Sequence, residues 1–281
     1  MTSRSEERVV TPALLREWAL PDPDGDKESR GTVLVVGGAR WTPGAVLLAG
    51  VAALRAGAGR LQLAVAAESA VALSIAVPEA KVVGLPPDGD APDEVASLAE
   101  QADVIALGPG LDDIEHTTRL MRAVLGAAGD GTSVVLDAYA LGALSKDAGL
   151  LRQSRAVLTP NLIEAGHLLG RDPGDDLAAA ARELADRHKA VVSLYGHIAE
   201  PGGSAWREES GDAGLGTSGS GDVRAGIVAG LLARGAEPAQ AACWAAYVHA
   251  MSGRRLAPRY GRIGFLAREL VDEVAATIAT V

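Results

Sequence analysis

A chain of 281 residues with one cysteine, one phenylalanine and 3% aromatic residues has few of the usual means of building or bracing a core. The lone Cys243 excludes an internal disulfide framework and a cysteine-cluster metal site. It falls in "AQAACWAAYVHAM", a helical pattern suited to a buried, unreactive thiol. With so few aromatics, the core must be made of Ala, Val, Leu and Ile. Lysine is scarce too. Lys27, Lys81, Lys146 and Lys189 are far outnumbered by arginine, which with the abundant Ala and Gly reads as a compositional bias of the genome. A net charge of −10 speaks against a nucleic-acid or anionic-membrane surface. It leaves anionic small ligands open, because backbone N–H groups at helix ends bind phosphate without local Lys or Arg. No apolar run reaches the length of a membrane span, and the start "MTSRSEERVVTPALLREW" carries no leader pattern. A soluble cytoplasmic protein acting on a small molecule, with no nucleic acid and no membrane as partner, is the expectation.

What the chain does have is globular bulk, 48% hydrophobic against 22% charged residues. Short apolar runs alternate with Ala/Leu-rich helical patterns. The runs are "TVLVVGG" (32–38), "RLQLAVA" (60–66), "ADVIALGPG" (102–110), "TSVVLDAYAL" (132–141), "RAVLTPN" (155–161) and "AVVSLYG" (190–196). Between the first two, "GAVLLAGVAALRAGAG" (44–59) reads as a helix with a glycine-rich stop. Continuous apolar runs separated by crossover helices predict an α/β fold, a mostly parallel, doubly wound sheet flanked by helices on both faces. Ligands of such sheets sit outside the carboxyl ends of the strands. Gly37–Gly38, Gly108–Gly110, Asp137, Thr159–Asn161 and Tyr195–Gly196 are therefore expected along one edge. No linker or repeat divides the chain. One domain over residues 1–281 is predicted, with residues 1–30 forming a first helix and the polar connector "PDPDGDKESRG" (21–31).

The segment "GLGTSGSGDVRAGIVAGLLARG" (214–235) carries the densest glycine cluster. Gly214, Gly216 and Gly219 satisfy GxGxxG, but a dinucleotide fingerprint must follow a strand and be answered by an acid about twenty residues later. Here a polar stretch precedes it and "LLARG" stands where the acid belongs. "GSGD" (219–222) followed at once by a helix is more specific. Successive N–H groups of Gly219, Ser220 and Gly221, backed by the positive end of a helix dipole, form an anion hole. Asp222 is either a helix cap or a base; beside a bound phosphate, the chemical job open to it is taking a proton from an attacking hydroxyl.

Taken in order, "TPALLREWALPDP", "VLVVGGARWTPGAVLLAGVAALRAGAGRLQLA", "VPEA", "ALGPGL", "VLDAYAL", "LTPNLIEAGHLLG" and the glycine loop resemble the ADP-dependent NAD(P)H-hydrate dehydratases, which have the ribokinase-like fold. The resemblance covers about residues 11–280. It implies a lyase of metabolite repair. Hydrated NADH or NADPH is phosphorylated at the C6 hydroxyl of its nicotinamide ring from ADP (or ATP), and phosphate then leaves to restore the coenzyme. It implies Mg2+ as cofactor, held with the nucleotide and by no dedicated metal site in the protein, and a homo-oligomer as the assembly. Asp222 matches the family's catalytic aspartate, Gly221 a nucleotide-contacting glycine, and Ala45 and Gly110 substrate-contacting positions. Asp137, in the family's "LDA" motif, orients a ligand or serves as a turn residue.

Two positions depart from the family pattern. Asn161 stands in "TPNLIE" where the family has a substrate-contacting His, with Glu164 retained; Asn hydrogen-bonds but does not titrate near pH 7. Tyr195 stands at the family's nucleotide-gripping Lys, in a loop about three residues short before Ile198–Ala199, leaving Tyr195, Gly196 and His197 as the nucleotide-facing candidates there. His167 and His249 fall in Ala/Leu helices and read as structural; His116 and His188 read as surface residues. Two alternatives stay open on the residues alone: a ribokinase-like small-molecule kinase, and a family member that has lost nucleotide binding and serves as a non-catalytic binding protein.

Overall fold

Apolar runs that must bury both faces have one stable home, the middle of a sheet covered on each side by helices. The computed structural model describes residues 7–22, 27–87, 92–152 and 155–281, so residues 1–6 and the 23–26 part of the polar connector lie outside the described residues. The strands are β1 (Arg8–Val9), β2 (Thr32–Val36), β3 (Arg60–Ala66), β4 (Ala80–Leu85), β5 (Val104–Leu107), β6 (Ser133–Leu136), β7 (Ala156–Leu158), β8 (Val191–Leu194), β9 (His197–Ala199) and β10 (Ala205–Arg207). The helices are α1 (Pro12–Glu17), α2 (Gly44–Ala56), α3 (Ala67–Ala76), α4 (Asp93–Gln101), α5 (Ile114–Ala127), α6 (Tyr139–Lys146), α7 (Leu162–Leu169), α8 (Leu177–His188), α9 (Ser220–Ala233), α10 (Pro238–Tyr260) and α11 (Ala267–Ile278).

The strands form one sheet in the order β1-β10-β9-β8-β7-β6-β5-β2-β3-β4. From β4 through β8 all pairings are parallel. All six runs read from the sequence are strands. Two of them stop earlier than the apolar letters do. The run 132–141 ends as a strand at Leu136; Ala138, at φ 49°, turns the chain into α6. The run 190–196 ends at Leu194, where Tyr195 and Gly196 (φ 49° and 87°) make a two-residue turn into the antiparallel β9, pairing Leu194 with His197. Positive φ at both positions is the geometry of a tight hairpin turn whose twist matches its strands. The edge strands β1 and β4 and the short strands β9 and β10 were not among the runs read from the sequence.

Successive residues of β2 point into two cores. Val33 and Val35 pack under α2, α9, α10 and α11, while Leu34 and Val36 pack under α4 through α8. Thr11 and Pro12 start α1 as cap and first helical residue, Thr11 Oγ1 accepting from Leu14 N–H at 3.2 Å. Trp18, just after α1, stacks on Trp206 of β10 with ring centroids 5.4 Å apart. Its carbonyl accepts from Trp244 Nε1 at 2.9 Å, which ties the N-terminal segment to α10. The strand order reverses at β2, whose neighbours β3 and β5 lead off in opposite directions. The loops after β2 and β5 are joined there, Gly38 N–H to the Pro109 carbonyl (2.8 Å) and Ala39 N–H to the Gly110 carbonyl (2.7 Å). Such switch points are where open α/β sheets hold ligands.

Candidate active site

The carboxyl edge of the sheet gathers an acidic cluster around one guanidinium. Asp137 follows β6 and is buried, its Oδ1 accepting from Thr159 Oγ1 at 2.7 Å. Arg224, in the first turns of α9, donates from Nη2 to the Thr159 carbonyl at 2.8 Å. Glu164 belongs to the start of α7, where it forms a reciprocal cap with Asn161. Asn161 Oδ1 accepts from Glu164 N–H (2.9 Å) and Glu164 Oε2 accepts from Asn161 N–H (2.8 Å). Burial pushes both carboxyl groups above their ordinary range; the Arg224 charge opposes this most at Asp137, and the Asn161 N–H opposes it most at Glu164.

Asp222 is the third carboxylate. The cap position of α9 belongs to Gly219 in the left-handed region (φ 86°), which places Asp222 at the third helical residue. Asp222 is therefore not the cap, and its carboxylate accepts no hydrogen bond among the described residues. Burial first, then the charges of Asp137 and Glu164, push it up to about 7. A Cβ on Gly219 would stand 2.6 Å from Leu48 Cδ1 and 3.8 Å from Asp222 Oδ2, so the carboxylate faces the α2 side of the turn. The opposite side opens on a cleft of about 560 Å³ lined by Asn161, Tyr195, Gly196, Ser220, Gly221 and Arg224, with Glu208 and His249 deeper in. A Cβ on Gly221 would meet nothing within 4 Å, leaving room for a ligand against that backbone.

His249, buried in α10, holds Ser220 at the mouth of the helix, Nε2 to Oγ at 2.8 Å. Burial and the Arg224 charge push its imidazole down to about 3, so it is neutral in the working range. Glu208 Oε1 accepts from Ser210 N–H at 2.6 Å, and Oε2 from Gly211 N–H at 3.2 Å, shaping the far wall.

Of the residues picked from sequence, Asn161, Tyr195, Gly196, Ser220 and Gly221 converge on the cleft, with Gly219 and Asp222 at its edge. Ala45 and Gly110 lie instead at the switch point, packed so closely that a Cβ on Gly110 would be 2.8 Å from that of Ala45. His197 is not at the cleft; its Nδ1 meets Glu7 Oε1 at 2.9 Å on the other side of the hairpin. His167 is exposed, whereas His116 and His188 are half-buried rather than on the surface. Arg224, His249 and Glu208 were not picked. Arg224 stands two residues past Asp222 in the quoted loop, and the "NxxE" of a helix cap was legible at Asn161. Nothing in the sequence pairs His249 with Ser220.

A family model described as NAD(P)H-hydrate dehydratase matches residues 33–276. The chain belongs to the NAD(P)H-hydrate dehydratase family. Within it, the chain is 44% identical over 278 residues to an ADP-dependent (S)-NAD(P)H-hydrate dehydratase of Xanthomonas campestris pv. campestris, covering 95% of this chain and 94% of that one. It is 35% identical over 260 residues to the enzyme of the same name from Neisseria meningitidis serogroup B, covering 88% and 84%. In structure it is similar to an ADP/ATP-dependent NAD(P)H-hydrate dehydratase from Bacillus subtilis co-crystallized with ATP and Mg2+, with TM-score 0.84, 27% identity and coverage of 98% and 99%. The ribokinase-like expectation for the fold therefore holds for this dehydratase-family chain.

The family implies Mg2+. Among the described residues no group of three or more His, Cys, Asp or Glu is placed to hold a metal ion by itself. Magnesium prefers one or two carboxylates together with phosphate oxygens and water. Asp137 and Glu164, near enough that the Asp137 charge raises the proton affinity of Glu164, fit that need.

Proposed function

We propose that this chain is an enzyme that dehydrates hydrated NADH or NADPH at the expense of ADP, restoring the coenzyme, and that it does so as a single catalytic domain. The observation that carries this reading is the Asp222 carboxylate, which accepts no hydrogen bond among the described residues and is pushed up to about 7, on the helix turn whose Ser220 and Gly221 line the cleft of about 560 Å³. Asp222 takes the proton of the C6 hydroxyl as that oxygen attacks the β-phosphorus of ADP. The bond from phosphorus to the bridging oxygen breaks and AMP leaves. The C6 phosphate ester then expels inorganic phosphate as the neighbouring C5 loses a proton, which regenerates the double bond. The N–H of Gly221, at the positive end of α9, stabilises the charge growing on the transferred group; the Ser220 N–H expected to share this task is instead spent on the Thr217 carbonyl at 3.2 Å. Mg2+ arriving with the nucleotide would be held by Asp137 and Glu164 and supplies charge neutralisation at the phosphates. Ala45 and Gly110 bring backbone close to the nicotinamide side of the substrate; Asn161, Tyr195 and Gly196 face the nucleotide cleft.

No helix among the described residues is long and apolar enough to cross a membrane. A cytoplasmic homo-oligomer fits this reading, and exposed Val71 and Ile75 on α3 offer apolar surface for self-association. The test is to incubate the protein with hydrated NADH, Mg2+ and either ADP or ATP and follow the near-ultraviolet absorbance of reduced nicotinamide. Recovery with ADP, abolished by Asp222→Asn, is expected. No recovery with either nucleotide, together with no nucleotide binding by calorimetry, overturns the reading.

A further inference from the structure

The start of α9 gives this cleft backbone N–H and a helix dipole, but few cationic side chains to add to them. Its lining includes the carboxylates of Glu208, Glu209 and Asp212, and of the described residues lining it Arg224 is the one permanent cation. Glu209 and Asp212 are engaged at the rim by Arg207 (3.1 Å) and Arg262 (2.6 Å). That spends those arginines on the wall rather than on a ligand. The turn where the family resemblance calls for a lysine is only two residues long and carries Tyr195, 65% exposed at the cleft.

Arg224 is placed differently from a surface arginine. Its backbone is on α9 two residues past Asp222, so it shares the rigid element that carries the base. Its guanidinium is fixed by one bond to the Thr159 carbonyl, yet Nε is sealed from solvent and has no hydrogen-bond partner. An enclosed N–H without an acceptor is costly. A guanidinium with donors left over matches phosphate oxygens in a two-pronged geometry.

We propose that Arg224 is the cation that grips the nucleotide's phosphates, in place of the lysine missing at position 195. This rests on the functional reading above. The specificity it implies is for a phosphate-bearing nucleotide over the bare nucleoside. The base and the phosphate anchor then come from one helix turn instead of from a helix and a separate loop.

The experiment measures binding of ADP, AMP and adenosine to the intact protein by calorimetry, with weak ligands followed by displacement. Arg224→Met is expected to weaken ADP by about ten- to a hundred-fold, the range of hydrogen bonds to charged groups, while adenosine changes little. Adding Tyr195→Lys to Arg224→Met is expected to recover most of the ADP affinity. Because Arg224→Met leaves Asp137 buried with less opposing charge, the Asp137→Asn/Arg224→Met pair is compared with Asp137→Asn in Mg2+-free buffer, where the metal role given to Asp137 plays no part, and is expected to show the same split between ADP and adenosine. ADP affinity unchanged by Arg224→Met, or ADP and adenosine falling by the same factor, overturns the proposal; no recovery with Tyr195→Lys overturns the exchange between positions 195 and 224. These failures occur in a protein that still binds ADP and repairs hydrated NADH when unmutated, whereas failure of the functional reading removes both from the wild type.

Discussion

The carbonyl oxygen of Ala49 in α2 lies 2.2 Å from where a Cβ on Gly226 of α9 would stand, and one turn on the same holds for the Ala53 carbonyl and Gly230. Two helices therefore meet backbone to backbone, and the one carrying Asp222 is seated by contact rather than by a loop. Gly226→Ala must force them apart. A loss of about 2–4 kcal/mol is expected in chemical denaturation, at the upper end of overpacking costs because backbone cannot move aside. Gly221→Ala is the contrast, since its Cβ would enter open space at the cleft. It is expected to change stability by less than about 1 kcal/mol while reducing ADP affinity in calorimetry.

Asp222 binds its proton more tightly in the folded chain than an ordinary aspartate does, holding it up to about 7. The ionised form is the base, so turnover at saturating substrate is expected to rise as pH passes through about 7. Stability runs the other way. The contribution of the protonated group is complete below about 4 and is lost as pH climbs through about 7. Asp222→Asn is thus expected to be inactive yet more stable above pH 7, by about 1–3 kcal/mol after allowing for its partial exposure to solvent. Urea denaturation at pH 5 and pH 8 checks this: a gain no larger at pH 8 than at pH 5 would remove burial of charge as the cause.

Cys243 is wholly buried in α10, and burial pushes its thiol up. Native protein is expected to resist alkylation by iodoacetamide at pH 8 and to react once unfolded in guanidinium. Mass spectrometry of the two samples reads the outcome directly, and rapid labelling of native protein would contradict it.

How much of this was legible beforehand depended on length and burial. Runs such as "TVLVV", short, rich in β-branched residues and closed by glycines, carry the local marks of an interior strand, and all five residues are buried. β4 was missed because it is an edge strand whose residues are only partly covered, with Lys81 among them. β9 and β10 are three residues each and exist because their neighbours offer hydrogen bonds, a tertiary fact with no local signature. At the site, Asp222 was legible because glycine spacing and helix start are local. Arg224 was hidden in plain view: its letter reads as a solvated helix charge, and only the height of the β7 end beside α9 turns it toward Thr159. His249 needed α10 to dock on α9 before it could reach Ser220, twenty-nine residues away.

The two-residue turn at Tyr195 has one further implication. A left-handed backbone on a tyrosine costs about 1 kcal/mol against glycine or asparagine, so the position as it stands is not the most stable solution for its own hairpin. A library screened for heat resistance alone would rewrite it as Gly or Asn and gain a degree or more in melting temperature. A library screened for growth on the repaired coenzyme would keep a side chain there. The divergence between those two selections would separate what this turn does for the fold from what it does for the ligand.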